Sequence, residues 1–133
     1  MTGERDLRRL LGTMEPELRA GVWVFTSVKG PAPEGFDIAV TVAEAEGTTL
    51  VLPQEQADAA GFSYDFRAAW IILRVHSALD AVGLTAAVAT HLADFGLSCN
   101  VVAGFYHDHI FVPHDEADAA MSVLKALSAQ HRL

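Results

Sequence analysis

Three histidines fall close together near the C-terminus, His107, His109 and His114, with Asp108 between the first two. Residues two apart on a strand share a face, so His107 and His109 could offer two neutral imidazoles to a divalent metal, with His114 as a third ligand. Such a strand would have to run on through a hairpin, and no cysteine or second carboxylate falls at ligand spacing. Structural or interface histidines fit the pattern better, and no metal or cofactor is expected. His76-Ser77 followed by Asp80 has the residue types of a hydrolase triad. The serine lies in no Gly-x-Ser-x-Gly turn, and spacing alone supplies neither the base nor the oxyanion donors that activation needs. Cys99 lies in a predicted strand with no helix N-terminus behind it to lower its pKa, and reads as a core thiol. His91 falls at the edge of an apolar helix face, packed or half-exposed.

The elements that would position these residues follow from apolar periodicity. Leu7, Leu10, Leu11 and Met14 mark one face of a helix over 4–14, and Pro16 its exit. Residues 21–28 read as a strand, Lys29 to Phe36 as a Gly- and Pro-rich loop, and 37–45 as either a strand or a helical turn. A strand over 48–52 leads into a helix over 54–60 that Gly61 ends. Residues 66–76 form the longest strand, with Trp70, Ile72, Arg74 and His76 on one face and Ile71, Leu73 and Val75 on the other, both faces covered at its centre. A helix over 83–95 repeats Leu84, Val88, Leu92 and Phe95 at helical spacing and stops at Gly96. A strand over 98–103, a hairpin near Gly104–Asp108, a strand over 109–112 and a helix over 115–129 complete the chain. The last helix should bury Ala117, Ala120, Met121, Leu124 and Leu127.

The chain also repeats itself. Thr49-Leu50-Val51-Leu52-Pro53-Gln54-Glu55-Gln56-Ala57-Asp58-Ala59-Ala60 and His109-Ile110-Phe111-Val112-Pro113-His114-Asp115-Glu116-Ala117-Asp118-Ala119-Ala120 align without a gap at an offset of 60. Each is an apolar strand, a proline, an acidic turn and the start of an alanine-rich helix. A proline at the first helical position costs no hydrogen bond, because that N–H has no partner inside the helix. Two copies of one small module are therefore expected. The second half reads β-α-β-β-α and the first α-β-(x)-β-α. The fold class is α+β: two ferredoxin-like βαββα modules, with antiparallel sheets and helices on one face, dividing at 1–63 and 64–133.

Composition narrows the function. The 133 residues are 51% apolar, enough for a core, and carry a formal charge of −8. That balance argues against nucleic acid, and five of the nine basic residues lie in the first 29 positions, diluted by Glu4 and Asp6. Arg74, His76, Asp80, His91 and Asp94 interrupt every long apolar stretch, so no membrane span is expected. Charged residues stand where a signal peptide needs its apolar core, and a single cysteine fits a reducing compartment, so the cytoplasm is expected.

The run from Trp70 to Ala89, and Ser98-Cys99-Asn100-Val101-Val102-Ala103-Gly104-Phe105-Tyr106-His107-Asp108-His109-Ile110-Phe111-Val112-Pro113, resemble an uncharacterised bacterial family of stand-alone ACT-domain proteins. The likeness extends to Gly21–Phe25 and Thr49–Leu52 and so covers most of the chain. The resemblance implies a non-enzymatic regulatory module that binds an amino acid or related small molecule where two modules meet. It implies ligand contacts from the loop Asp80, Ala81, Val82, Gly83 and Leu84 and from Asn100, Val101 and Val102 on a neighbouring strand. Gly83 at a helix N-terminus suits a carboxylate, since unpaired N–H groups and the helix dipole favour an anion there; it could equally support a tight turn with Asp80 as cap. Asn100, a polar residue in an apolar strand, could read a ligand or simply bond within the protein. Nothing at Met14–Ala20 copies the Asp80–Gly83 loop, so the first module is expected to be degenerate. An open apolar sheet edge favours a homodimer. The alternative is an interaction module without a ligand.

Overall fold

The computed structural model describes residues 6–75 and 82–132. Its elements run α1 (Leu7–Thr13), β1 (Glu15–Leu18), β2 (Trp23–Val28), β3 (Val40–Glu44), β4 (Gly47–Pro53), α2 (Gln54–Ala60), β5 (Arg67–Arg74), α3 (Leu84–Asp94), β6 (Asn100–Ala103), β7 (Asp108–Pro113), a 3₁₀ turn (His114–Glu116) and α4 (Ala117–Gln130). They form two compact units, one of Ala20–Ala68 and the other of Ala69–Leu133 with Met1–Arg19.

In the first of these, β3, β4, β2 and the start of β5 lie in that order, all antiparallel. Val24, Leu50, Leu52 and Ala57 make the core, so α2 packs its alanine against the sheet. The loop between β2 and β3 supplies Phe36 and Ile38 to the same core, and Phe36 meets Phe62 with ring centroids 5.5 Å apart. Apolar loop residues thus cover the sheet where a βαββα module would place its first helix. Gly61 ends α2 in the left-handed conformation at φ 75°, as its position after the alanine run predicts.

In the other unit β5, β7 and β6 are neighbours in that order, and β1 pairs antiparallel with β5. One side of this sheet is covered by α1, α3 and α4. Leu10, Leu11 and Met14 from α1 and its end, Leu84, Val88 and Leu92 from α3, and Ala120, Val123, Leu124 and Leu127 from α4 pack on Ala69, Ile71, Leu73, Val75, Ile110 and Val112. The alternation expected along β5 is present, and Ile71, Ile72 and Leu73 are all buried. Ala117 and Met121 join the edge of the core. Phe95, expected on the buried stripe of α3, is 66% exposed. The helix proper ends at Asp94, Phe95 is its cap at φ −96°, and the chain has already left helical geometry there.

The internal repeat holds at the level of the ladder. Val40 pairs with Val51 and Val42 with Thr49, while Asn100 pairs with Phe111 and Val102 with His109, so the second register is the first shifted by 60. Both prolines end their strands in extended geometry, Pro53 at ψ 139° and Pro113 at ψ 133°, one residue before the helical turn rather than inside it.

Candidate functional site

Of the loop expected to contact a ligand, Asp80 and Ala81 lie outside the described residues, as do His76 and Ser77 of the triad pattern. Val82 is 84% exposed and Leu84 is buried in the core. Between them Gly83 is the N-cap of α3 at φ 102°, a conformation that side chains with a Cβ rarely adopt. Its carbonyl accepts the first helical bond, from Ala87 N–H at 2.8 Å, and it has no side chain to cap the preceding donors. The N–H groups of the first turn therefore have no capping side chain from this position, at the positive end of an 11-residue helix. Leu7 of α1 closes one side: a Cβ on Gly83 would lie 3.1 Å from its Cδ2.

Asn100, Val101 and Val102 occupy β6, which begins after α3 has ended. An 11-residue helix spans about 16 Å, so within one module the start of β6 and the N-terminus of α3 stand at opposite ends of the helix. Val101 packs on the core beside the helices, and Asn100 is exposed. Strand alternation puts Asn100 and Val102 on the face away from the helices.

That second face holds the histidines. Trp70 on β5 donates its indole N–H to Nδ1 of His109 on β7 at 3.1 Å, and its ring stacks on Phe111 at 6.0 Å. The guanidinium carbon of Arg19 lies 4.7 Å from the Trp70 ring centre, held there by a bond from Arg19 N–H to the Trp70 carbonyl at 2.8 Å. Arg74 grips Glu17 with two bonds, at 2.8 and 3.1 Å, which lowers the Glu17 pKa and raises that of Arg74. Burial and then the nearby His107 push the His109 pKa down, so its ring is held neutral. Asp108, on the opposite face of the strand, is 6% exposed, and burial raises its pKa. Gly104 closes the hairpin with a bond from its N–H to the His107 carbonyl at 2.9 Å.

Among the described residues no three His, Cys, Asp or Glu side chains gather as metal ligands, so His107, His109 and His114 do not converge. The Nδ1 lone pair of His109 is taken by the Trp70 indole N–H. Cys99 is half-buried at the edge of the core, its pKa pushed up to about 11 by burial. Sequence reasoning missed the Arg19–Trp70–His109 cluster. Its members come from three separate segments, and only the strand face assigned to Trp70 hinted at it.

The sequence matches the ACT domain twice, over residues 2–69 and again over residues 65–126. The chain belongs to the ACT-domain family. It holds two ACT modules in tandem, and ACT modules in general are regulatory and bind small ligands. A Vibrio cholerae protein of unknown function, described as a possible transport protein, is 45% identical in sequence. The match covers 93% of this ACT protein and 97% of that chain at a TM-score of 0.84. A protein from Agrobacterium tumefaciens shares the fold at 15% identity and a TM-score of 0.72, covering 86% of this chain and 89% of that one. The regulatory subunit of aspartate kinase from Thermus thermophilus does so at 9% identity and a TM-score of 0.63, with 88% and 98% covered. None of the curated proteins matches this ACT protein. Among its described residues, no helix is long and apolar enough to cross a membrane.

Proposed function

We propose that this protein is a non-enzymatic cytoplasmic sensor that binds an amino acid where two ACT modules meet. The observation that carries the reading is Gly83. A glycine N-cap in the left-handed region, without a capping side chain, leaves the first-turn N–H groups of α3 to a ligand carboxylate. Asp80, Ala81, Val82, Gly83 and Leu84 form the carboxylate side of the site, Leu84 through its backbone alone. Asn100, Val101 and Val102 of a neighbouring module supply the other side, because in one module they stand a helix length away. Asn100 or strand carbonyls hold the ammonium. A second copy of the chain is the natural source of that neighbour, so the protein acts as a homodimer, and the ligand biases how the modules associate.

In sequence the modules divide at 1–63 and 64–133, although Met1–Arg19 joins the compact unit of the C-terminal copy. The first copy has a loop in place of its first helix and so has no equivalent of the α3 N-terminus. Sites therefore number one per chain.

A thermal-shift screen against the twenty amino acids tests this, since a ligand that binds only the folded state raises Tm by mass action. One or a few amino acids should raise Tm, and Asn100→Ala, at an exposed position, should weaken that response without altering the ligand-free Tm. Failure of every amino acid to shift Tm sinks the proposal. It would favour the second reading, a protein-interaction module, for which the exposed Phe95, Phe105 and Tyr106 would be the contact residues.

A further inference from the structure

The sheet face away from α1, α3 and α4 carries donors that the protein itself leaves unused. The guanidinium carbon of Arg19 sits over the Trp70 ring, and the guanidinium forms no hydrogen bond or ion pair among the described residues. Glu17, two residues before it, is already held by Arg74 through both oxygens. His109 accepts from Trp70 at Nδ1, so its neutral ring must carry the proton on Nε2. That N–H has no protein acceptor among the described residues. Gly104 packs close to that edge of the ring, where an added Cβ would stand 3.0 Å from Nε2. His107 lies alongside, its charge felt by both Glu17 and His109, and its own Nδ1 is buried without a partner. The surroundings are donor-rich and backed by an indole.

We propose that Arg19 and His109, on the Trp70 platform, form a binding site for the oxyanion group of a small molecule, a carboxylate or a phosphate. The guanidinium fork matches either group with two parallel bonds, and its contact with the indole holds the guanidinium over the platform before a ligand arrives. Nε2–H of His109 supplies a third donor, and the indole gives an apolar wall to the rest of the ligand. Arg74 adds positive charge, offset by Glu17 and Glu15. This site lies across the sheet from the N-terminus of α3 and is separate from the amino-acid site proposed above.

The test is a titration of the full ¹⁵N-labelled chain with inorganic phosphate and, separately, with succinate, against chloride at equal ionic strength. The Trp70 indole N–H and the His109 ring resonances are followed by NMR. Saturable shifts beyond those of chloride are expected. Saturation with phosphate alone assigns a phosphate ligand, and saturation with succinate alone a carboxylate. Arg19→Gln should weaken binding about tenfold, the loss of one strong charge-assisted contact. His109→Phe, which keeps a ring against Trp70 but removes the donor, should weaken it likewise. Shifts no different from chloride with both anions, or an affinity unchanged in Arg19→Gln, overturn the proposal.

Discussion

Trp70 and His109, 39 residues apart in the chain, are joined by one hydrogen bond in which the indole donates to Nδ1 of the imidazole. The bond exists only while Nδ1 has a lone pair, so protonating His109 breaks it.

This fixes a pH dependence. The folded His109 pKa lies below the ordinary histidine value of about 6.5, so the unfolded chain takes up the proton first. The contribution to stability is complete above the ordinary value and is lost as pH falls from there through the folded pKa. His107, Asp108, Arg19 and Arg74 are the charged groups acting on the ring. The Tm of His109→Gln should therefore fall less steeply than that of the native chain between pH 7 and pH 5; parallel curves would contradict the assignment.

Asp108 acts in the opposite sense. Its folded pKa is raised by burial, so the stability it permits is present below the ordinary aspartate range and declines as pH rises through the folded pKa. At pH 7 the chain carries the cost of a buried carboxylate. Asp108→Asn should raise Tm at pH 7 and leave it nearly unchanged near pH 4, as calorimetry at the two pH values would show.

Gly12 sits where α1 meets the end of α4, and a Cβ there would stand within contact-forbidden range of the His131 carbonyl oxygen. Alanine is the better helix former by about 1 kcal/mol, but the obstacle is backbone and cannot rotate aside. Gly12→Ala should lower stability by about 1–3 kcal/mol in urea unfolding. A stabilised variant would mean that α1 is free to shift.

Burial of Cys99 suppresses its thiolate. Iodoacetamide at pH 8 should label it about a hundredfold more slowly in the folded chain than in urea. Equal rates would place the thiol in solvent.

Much of the fold was legible because local pattern and tertiary burial agree. The helix read over 54–60 is α2, and the strand face Ile71, Leu73, Val75 is the one packed under the helices. The segment 37–45, open between strand and turn, holds β3. Glu15-Pro16-Glu17-Leu18 gave no strand signal, since glutamate and proline are poor strand formers, yet it pairs with Leu18↔Ile71 to Glu15↔Arg74. An edge strand can hold a proline because one side of it needs no donor. The burial of Phe36 and Ile38 in place of a helix was invisible for a related reason: two apolar residues in a Gly- and Pro-rich loop have no period. At the candidate site, Gly83 stood out because a glycine preceded a regular apolar repeat. Arg19 over Trp70 did not, because side chains that meet across strands leave no spacing to read.

The matched ladders of β3–β4 and β6–β7 also say what the module could and could not lose. Slipping a strand by one residue would turn its whole apolar set outward, whereas a helix lying on the sheet can be exchanged for any segment that covers the same surface. Ancestry is accordingly recorded in the hairpins and in the proline and alanine-rich helix start that follow each, and is lost where a loop replaced the first helix. Each hairpin residue has a counterpart in the other copy, so the protein carries its own control: a substitution at Val42 and the same substitution at Val102 test one backbone position in two surroundings.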